Sequence, residues 1–298
     1  MNRFIYLLCG FLMSTQAQTL PKVTTGSIER LENFASQFVD ARPIDVWLPD
    51  GYSAQQRYNV LYMHDGQMLF DPATTWNHQS WGVDATVGRL IVQGKIEPTI
   101  VVGIWNNGRF RHAEYFPEKN LAFLSETVRA RHVNEALQGK AQGDNYLRFI
   151  VQELKPYIDK RYATRTEARA TFTMGSSMGG LVSVYAMSEY PDVFGGAAGL
   201  STHWVGINRP NAALPLAAFN YLRDHLPDPA THRLYQDHGT AELDALYAPY
   251  QVFVDALVRE KGYTDANYTS RVFEGAGHNE KAWAGRLEIP LLFLMGTR

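Results

Sequence analysis

A serine in a short glycine-rich turn carries the strongest indication of chemistry in this sequence. Residues 175–179 read Gly-Ser-Ser-Met-Gly, the pattern G-x-S-x-G, between an apolar run that ends at Met174 and a stretch of helical character. The two glycines leave room for a sharp strand-to-helix turn that lifts the hydroxyl of Ser177 clear of the backbone. This turn therefore predicts a nucleophilic serine.

A serine hydroxyl is a weak nucleophile near neutral pH and needs a neighbouring base that is oriented by an acid. When the nucleophile occupies such a turn, the chain order is serine, acid, histidine. Of the nine histidines, only His278 follows Ser177 in the expected place, just after the last predicted strand. The acid should follow the predicted strand 233–236, where Asp244 and Glu242 both qualify. We favour Asp244, because its shorter side chain gives a more rigid support, and keep Glu242 as the alternative acid.

The tetrahedral intermediate of acyl transfer also needs hydrogen-bond donors for its oxyanion. We expect the first donor to be the backbone N–H of Met178, which follows the nucleophile. The second should come from the loop after the predicted strand 58–63, where residues 64–67 read His-Asp-Gly-Gln. We assign it to the N–H of Gln67, because the preceding glycine lets the backbone turn close to a substrate.

These residues are far apart along the chain, so a scaffold must bring them together. Apolar and β-branched runs alternate with segments of helical period, which predicts an α/β fold with a mostly parallel central sheet and helices on both faces. We predict strands at residues 43–48, 58–63, 99–104, 170–174, 194–200, 233–236 and 269–273. The loops that leave the carboxyl ends of such strands surround the ligand crevice.

Two long stretches, residues 106–143 and 203–229, are polar or interrupted by proline, and each follows a predicted strand. We interpret them as loop insertions over the active site, with surface decoration as the alternative. Trp105 and Asn106 follow one strand and Trp204 follows another. We expect these three side chains to bind substrate, the two tryptophans as aromatic walls, with capping of the core as their alternative role.

Other conspicuous residues are assigned no chemical step. Arg111, in the first insertion, has the donor geometry to bind a carboxylate in a bidentate manner, but a solvated position is the simpler expectation. Trp283 and Arg286 follow the predicted base and are expected to brace its loop. His203 lies too early in the chain to be the general base.

Composition and charge exclude several other functions. The 298 residues contain 28 Lys+Arg and 30 Asp+Glu, a formal net charge of −2, without the clustered excess of base that nucleic-acid binding needs. A single cysteine makes no intramolecular disulfide and no Cys-based metal site, and H-E-x-x-H, G-x-G-x-x-G and P-loop patterns are missing from the sequence. We expect no metal, no organic cofactor and no nucleic-acid partner.

The N-terminal residues predict export. Residues 4–13 form an almost uniformly apolar run behind a basic residue and ahead of small and polar residues, which is the layout of a secretory signal peptide. The run is well short of the ~20 residues that a spanning helix needs, so we expect no stable membrane insertion. With cleavage near Ala17, residues 1–17 are the signal peptide and residues 18–298 a single domain. The lone Cys9 would leave with the signal, and the protein would be secreted or periplasmic.

Several segments together resemble the serine esterases grouped around esterase D, the feruloyl esterases and the enterochelin esterases, with the mycolyltransferases more distant. The resemblance spans most of the chain from about residue 27, and its main segments are residues 42–52, 60–67, 101–104, 175–180 and 278–283. It implies an α/β-hydrolase fold, no metal or organic cofactor, and ester hydrolysis through an acyl-enzyme. It also implies that Ser177 is the nucleophile, His278 the base and Met178 an oxyanion donor. It does not choose between Asp244 and Glu242.

The leading hypothesis is thus a carboxylic ester hydrolase whose partner is a small-molecule ester, such as an acylated sugar, a phenolic ester or a siderophore ester. One alternative is an acyltransferase on the same scaffold, which passes the acyl group to a sugar or lipid instead of water. A second is a non-catalytic ligand-binding protein that kept the fold, but the loss of a triad member expected there is not seen. The sequence leaves the oligomeric state open.

Overall fold

The computed structural model describes residues 19–297, which build their fold around one central sheet. Its strands are β1 (Ser27–Phe34), β2 (Arg42–Leu48), β3 (Asn59–His64), β4 (Thr99–Ile104), β5 (Thr171–Ser176), β6 (Gly196–Leu200), β7 (Arg233–Gly239) and β8 (Tyr268–Phe273). Their order across the sheet is β1-β2-β4-β3-β5-β6-β7-β8. β2 runs antiparallel to both β1 and β4. The strands β3 to β8 all run parallel to one another. The predicted signal peptide, residues 1–17, lies outside the described residues.

Helices connect these strands and cover both faces of the sheet. They are α1 (Val83–Val92), α2 (Arg111–Tyr115), α3 (Glu126–Glu135), α4 (Gly143–Arg148), α5 (Lys155–Arg161), α6 (Met178–Glu189), α7 (Ala213–His225), α8 (Ala248–Glu260), α9 (Glu280–Ala284) and α10 (Glu288–Met295), with a π-helical segment, Phe149–Leu154, between α4 and α5. None of the helices within residues 19–297 has the length and apolarity needed to cross a membrane.

Two apolar clusters, one on each face, hold the helices to the sheet. Along β3, Val60 and Tyr62 belong to one cluster and Leu61 and Met63 to the other, as the alternation of side chains in a strand requires. α1 and α10 pack in the second cluster, and α6 and α8 pack in the first. The predicted fold class, an α/β-hydrolase fold with a mostly parallel sheet covered on both faces, is confirmed.

The strand predictions differ from the structure in two instructive places. β1 was not predicted, because this edge strand is exposed or half-buried along its length and its register shifts between Leu31 and Phe34. A bulge of this kind breaks the two-residue period by which strands are recognised. β7 was predicted to end at Gln236, but it continues to Gly239 and carries Asp237 into the sheet.

The two predicted loop insertions contain helices. The first includes α2 and α3, and the second includes α7. α2 is anchored by a buried ion pair in which the Arg42 guanidinium donates to both carboxylate oxygens of Glu114 at 2.7 and 2.6 Å. The guanidinium also lies 5.5 Å from the centre of the Tyr146 ring. Because Arg111 is the first residue of α2, the Arg42–Glu114 ion pair also fixes the position from which the Arg111 side chain extends.

Candidate active site

The turn after β5 holds Ser177 in a backbone conformation that residues with a side chain rarely adopt, with φ 56° and ψ −123°. A Cβ on Gly175 would lie 2.6 Å from the carbonyl carbon of Gly179, so the turn closes only when glycine occupies that position. Hydrogen bonds to the neighbouring segment hold the conformation. The Ser177 N–H donates to the Leu200 carbonyl at 2.9 Å, and the His203 N–H donates to the Ser177 carbonyl at 3.2 Å.

Gly175→Ala is therefore expected to lower the free energy of unfolding by about 1 to 3 kcal/mol, the range for forcing atoms into a packed interior. The matched control is Gly285→Ala, where φ is −62° and an added Cβ would find its nearest neighbour at 3.5 Å. Chemical denaturation of the wild type and both variants measures the difference. Equal unfolding midpoints for all three proteins would contradict the close contact inferred at the turn.

An imidazole and a buried carboxylate are paired beside this turn. His278 Nδ1 lies 2.6 Å from Asp244 Oδ1. The Asp244 side chain is fully buried, and its Oδ2 accepts hydrogen bonds from the Ser201 hydroxyl at 2.5 Å and the Gly239 N–H at 2.6 Å. Burial would raise the pKa of Asp244, but the hydrogen bonds from His278, Ser201 and Gly239 outweigh it and lower the pKa. The imidazole thus faces an ionised carboxylate.

Glu242, the other predicted acid, contacts the backbone of the histidine loop instead of the ring. Its Oε2 accepts the His278 N–H at 2.7 Å and lies 3.4 Å from Asn279 Nδ2. Its own backbone has a positive φ of 56°, which turns the side chain toward that loop. Of the two carboxylates that the sequence left open, Asp244 faces the imidazole ring and Glu242 supports the loop from behind.

A layer of buried polar side chains stands behind Asp244. The Ser201 hydroxyl, which donates to Asp244, accepts hydrogen bonds from Trp283 Nε1 and Arg286 Nη2, both at 2.9 Å. Arg286 is 3% exposed and also donates to the Asp237 carboxylate at 2.9 and 3.2 Å. The Trp283 ring packs edge-on against the imidazole, with ring centres 5.1 Å apart. These contacts fit the bracing role predicted for Trp283 and Arg286 and extend it to the carboxylate.

The loop after β3 is held by a second charge pair, which is half-buried. Asp65, with φ 57°, accepts two hydrogen bonds from the Arg111 guanidinium, each 2.7 Å long, and a third from Asn106 Nδ2 at 2.7 Å. Burial raises the pKa of Asp65, while Arg111 and Asn106 lower it further than burial raises it. Arg111 thus binds a carboxylate of its own chain, and the prediction of a solvated arginine is wrong. Asn106 ties the same loop in place, and its N–H donates to the Gln67 side chain at 3.2 Å.

This loop lies against the serine turn with two backbone donors available. A Cβ on Gly66 would come within 2.5 Å of the Gly103 carbonyl carbon, which places the loop directly on β4. A Cβ on Gly179 would lie 3.4 Å from an Asp65 carboxylate oxygen, so the loop also approaches the turn. Gln67 and Met178 lie in the first turn of their helical segments, where backbone N–H groups have no acceptor within the helix. They are free to serve a ligand.

The two tryptophans expected to form the pocket walls both have partners within the fold, which agrees with the alternative role that the sequence left open for them. Trp105 Nε1 donates to Asp45 at 2.8 Å, and its ring lies 4.7 Å from the Arg30 guanidinium. Trp204 is 2% exposed and donates to Gln251 at 3.0 Å. Their positions at strand ends were predicted, but the direction of each side chain depends on partners from distant segments.

A trough lies between the two insertions and is lined by residues of both. Two adjoining cavities of about 480 and 340 Å³ share the lining residues Glu135, Ala136, Ile207 and Asn208. The smaller one is also lined by His112, the residue that follows Arg111 in α2. A larger cleft of about 750 Å³ lies at the opposite end of the parallel strands, around Asn59 and Arg233.

Two further residues of the site were missed by sequence reasoning. His203 is 1% exposed, and its Nδ1 lies 2.7 Å from the Tyr247 hydroxyl. The Tyr247 ring also packs edge-on against the His278 imidazole, with ring centres 5.8 Å apart. Burial lowers the pKa of His203 to about 3, so its ring is neutral at physiological pH. The available signals were the position of His203 just after β6 and of Tyr247 three residues after Asp244.

The protein has an α/β-hydrolase fold. The features that define this class are the mostly parallel sheet, the serine turn after β5, the histidine after β8 and the buried carboxylate paired with that histidine. A family profile described as "Putative esterase" matches residues 36–294. The chain belongs to this esterase family.

Individual relatives are remote in sequence. The chain is 22% identical over 265 residues to the uncharacterized protein YbbA of Bacillus subtilis, a match that covers 86% of this chain and 93% of the relative. It is 23% identical over 171 residues to the uncharacterized protein YjcH of the same organism, covering 57% of this chain and 59% of YjcH. It is 26% identical over 187 residues to an endo-1,4-beta-xylanase/feruloyl esterase of Xylanibacter ruminicola, covering 58% of this chain but only 21% of the relative.

Solved structures show the same fold. A ferulic acid esterase superposes with a TM-score of 0.66 at 20% identity, covering 91% of this chain and 98% of the other. The enterobactin esterase of Shigella flexneri superposes with a TM-score of 0.66 at 16% identity, covering 92% of this chain and 60% of the other. At these identities the likeness extends to the fold alone.

Proposed function

We propose that the protein hydrolyses carboxylic esters through a Ser177-His278-Asp244 triad and an acyl-enzyme. The observation that carries the proposal is the 2.6 Å contact between the His278 ring and the buried Asp244 carboxylate. This contact lies at the carboxyl ends of the parallel strands, where the Ser177 turn also lies. Membership of the esterase family supports the reaction class.

In this mechanism Ser177 Oγ attacks the ester carbonyl carbon while His278 Nε2 accepts its proton. The N–H groups of Met178 and Gln67 stabilise the oxyanion of the tetrahedral intermediate. Collapse of that intermediate breaks the ester C–O bond, and His278 gives its proton to the leaving alcohol. Water then attacks the acyl-enzyme with His278 again as the base, which releases the acid and restores the Ser177 hydroxyl. Asp244 holds the Nδ1–H tautomer and stabilises the imidazolium that forms twice in each cycle.

A fluorophosphonate probe followed by peptide mass spectrometry tests the proposal. The adduct is expected on Ser177, and labelling is expected to disappear in Ser177→Ala. The matched control is Ser176→Ala, which removes the neighbouring buried serine of the same turn and should leave labelling unchanged. An adduct on any other residue would refute the assignment of the nucleophile. Release of free acid, with no ester formed to an added alcohol, distinguishes hydrolysis from acyl transfer.

The substrate is proposed to extend from the reacting carbonyl into the trough between the insertions. The first set of test substrates is chosen from the names of two structurally similar proteins, a ferulic acid esterase and an enterobactin esterase. This panel consists of a feruloyl ester, enterobactin and, as the small reference, an acetyl ester. Asn106 is proposed to act by holding the Asp65 loop rather than by contacting substrate, in view of its hydrogen bond to that carboxylate.

Filling the trough is expected to separate large substrates from small ones. Ile207 lines both of its cavities, so Ile207→Trp should raise KM for the bulky esters of the panel by about 10-fold or more, the effect of losing contacts between a substrate and its pocket. Hydrolysis of the acetyl ester should stay near the wild-type rate. The control, Leu216→Trp, adds the same side chain at an exposed position of α7. An equal loss on large and small esters would show that the trough does not hold substrate.

We also propose that residues 1–17 direct export and are then removed, on the evidence of their sequence pattern. Intact-mass measurement of protein recovered from the periplasm or medium of an expressing bacterium should give a chain that begins at Gln18. Recovery of the full-length chain from the cytoplasm alone would refute this.

A further inference from the structure

We propose that α2 clamps the loop after β3 through Arg111, and so holds the Gln67 N–H where the oxyanion of the proposed reaction forms. The inference rests on the proposed roles of Ser177 and Gln67, and it adds a residue that the triad and the oxyanion pair do not contain. Arg111 is a positioning residue, because it acts through Asp65 and the loop rather than through contact with the reacting atoms.

α2 contacts Asp65 at two points. Arg111 donates from Nε to Asp65 Oδ1 and from Nη2 to Asp65 Oδ2, each at 2.7 Å, which is the bidentate geometry of a strong charge-assisted pair. Tyr115 lies four residues later on the same face of the helix, and its hydroxyl accepts the Asp65 N–H at 3.1 Å. Because the Arg42–Glu114 ion pair fixes α2 itself, one anchored helix holds both the side chain and the backbone of Asp65.

A third contact comes from the residues that follow β4. Asn106 Oδ1 accepts the Gly108 N–H at 2.7 Å, so Asn106 Nδ2 is the atom that faces Asp65, to which it donates at 2.7 Å. The Asn106 backbone N–H donates to the Gln67 side-chain oxygen at 3.2 Å. The loop is therefore tied at Asp65 and at Gln67, on both sides of Gly66.

The loop needs such a clamp because of its own backbone. Asp65 has a positive φ of 57°, a conformation that is uncommon for a residue with a side chain and that persists where surrounding contacts enforce it. The direction of the Gln67 N–H follows from the dihedral angles of the residues that precede it. Without Arg111, the Asp65 carboxylate loses both charge-assisted hydrogen bonds, and the loop is free to relax and turn the Gln67 N–H away.

The ion pair is charged near neutral pH and lies close to the serine turn. Burial raises the pKa of Asp65, but Arg111 and Asn106 lower it further than burial raises it, so the carboxylate is ionised. A carboxylate oxygen of Asp65 also lies 3.4 Å from the position that a Cβ on Gly179 would take. A shift of this loop therefore changes the space beside Ser177.

Arg111→Met removes the guanidinium and keeps most of the bulk of the side chain. We expect kcat on a short p-nitrophenyl ester to fall by about 10- to 100-fold, the cost of moving a catalytic donor out of position. KM should stay nearly unchanged, because the oxyanion exists only after attack. The affinity for a boronic acid, which forms a tetrahedral adduct with a catalytic serine, should fall by a similar factor.

The matched control is Arg165→Met. It removes another partly exposed arginine, which donates to Glu97 in the cleft at the opposite end of the parallel strands. This variant should retain the wild-type kcat, KM and affinity for the boronic acid. Arg111→Lys keeps the charge without the bidentate geometry, so it should lose less activity than Arg111→Met. If Arg111→Met does not fold, the kcat and KM of Arg111→Lys carry the same comparison.

Chemical rescue separates a lost clamp from a damaged fold. Because 24% of the Arg111 side chain is exposed, Arg111→Ala should leave a gap beside Asp65 that is open to solvent. Guanidinium chloride, at a concentration too low to unfold the protein, is expected to raise the kcat of Arg111→Ala toward the wild-type value. Sodium chloride at the same ionic strength should not. Equal effects of the two salts would overturn the inference.

Hydrogen exchange of the loop gives a readout that does not depend on activity. The backbone amides of residues 65–69 should exchange faster in Arg111→Met than in the wild type, while those of α6 should exchange at the same rate. The inference is overturned by unchanged exchange of residues 65–69, by a kcat of Arg111→Met close to wild type, or by a loss confined to KM.

The clamp and the proposed function fail in distinguishable ways. If Ser177→Ala is inactive and Arg111→Met is fully active, only the clamp is wrong. If Ser177→Ala keeps its activity, the proposed nucleophile is wrong, and with it the function assigned to the chain. Thermal melting of each variant separates a catalytic loss from misfolding.

Discussion

Ser177→Ala is expected to lower kcat on a short p-nitrophenyl ester by about 10⁴- to 10⁶-fold, the loss found when a serine hydrolase lacks its nucleophile. The residue that remains has no atom able to form the acyl-enzyme, and His278 has no proton to accept. Steady-state assays with purified protein measure the loss. KM should change little, because the hydroxyl contributes to covalent chemistry more than to ground-state binding.

The control for this loss lies one residue away. Ser176→Ala changes the same turn, but its hydroxyl belongs to the last residue of β5 and has no part in the proposed reaction. Activity close to wild type in Ser176→Ala, with similar thermal melting for both variants, would assign the loss to the Ser177 hydroxyl. Full activity in Ser177→Ala would refute the mechanism.

Asp244→Asn is expected to reduce kcat by about 10³- to 10⁴-fold, as the loss of the carboxylate does in other triads. The amide can present its N–H₂ to His278 Nδ1, which favours the wrong imidazole tautomer, and it removes the charge that stabilises the imidazolium. It also leaves the Ser201 hydroxyl and the Gly239 N–H, which both bond the buried carboxylate, with a weaker acceptor.

Glu242→Gln is the matched comparison, because it neutralises a carboxylate only two residues away. A glutamine oxygen can still accept the His278 N–H, so the loop should keep its position and kcat should fall by less than about 10-fold, the scale of one neutral hydrogen bond. Assays of the two variants at the same pH give the ratio. A larger loss in Glu242→Gln than in Asp244→Asn would reverse the assignment of the acid.

Much of the fold was predictable because it is encoded locally. The runs of β-branched and apolar residues indicated the strands from β2 to β8. Those from β2 to β7 are buried along almost their whole length, and a strand covered on both faces is expected to be mainly apolar. β1 escaped because an edge strand that is exposed or half-buried along its length and contains a bulge carries little of that signal. The helix α3 of the first insertion was missed for a related reason: it is largely exposed, so it shows no strong apolar face.

In the candidate site, too, features built from adjacent residues were predictable, and features that depend on distant segments were not. The amino-acid sequence by itself determined the serine turn and the histidine after the last strand, because a turn is built from adjacent residues and chain order follows from strand order. Only the tertiary structure decided which carboxylate faces the imidazole, since Glu242 and Asp244 share one short segment and differ in the direction of their side chains. It also decided that Trp105 and Trp204 pack in the fold, and that Arg111, His203 and Tyr247 reach the site. The direction of a side chain depends on the partners that surround it, and those partners come from segments far away in the sequence.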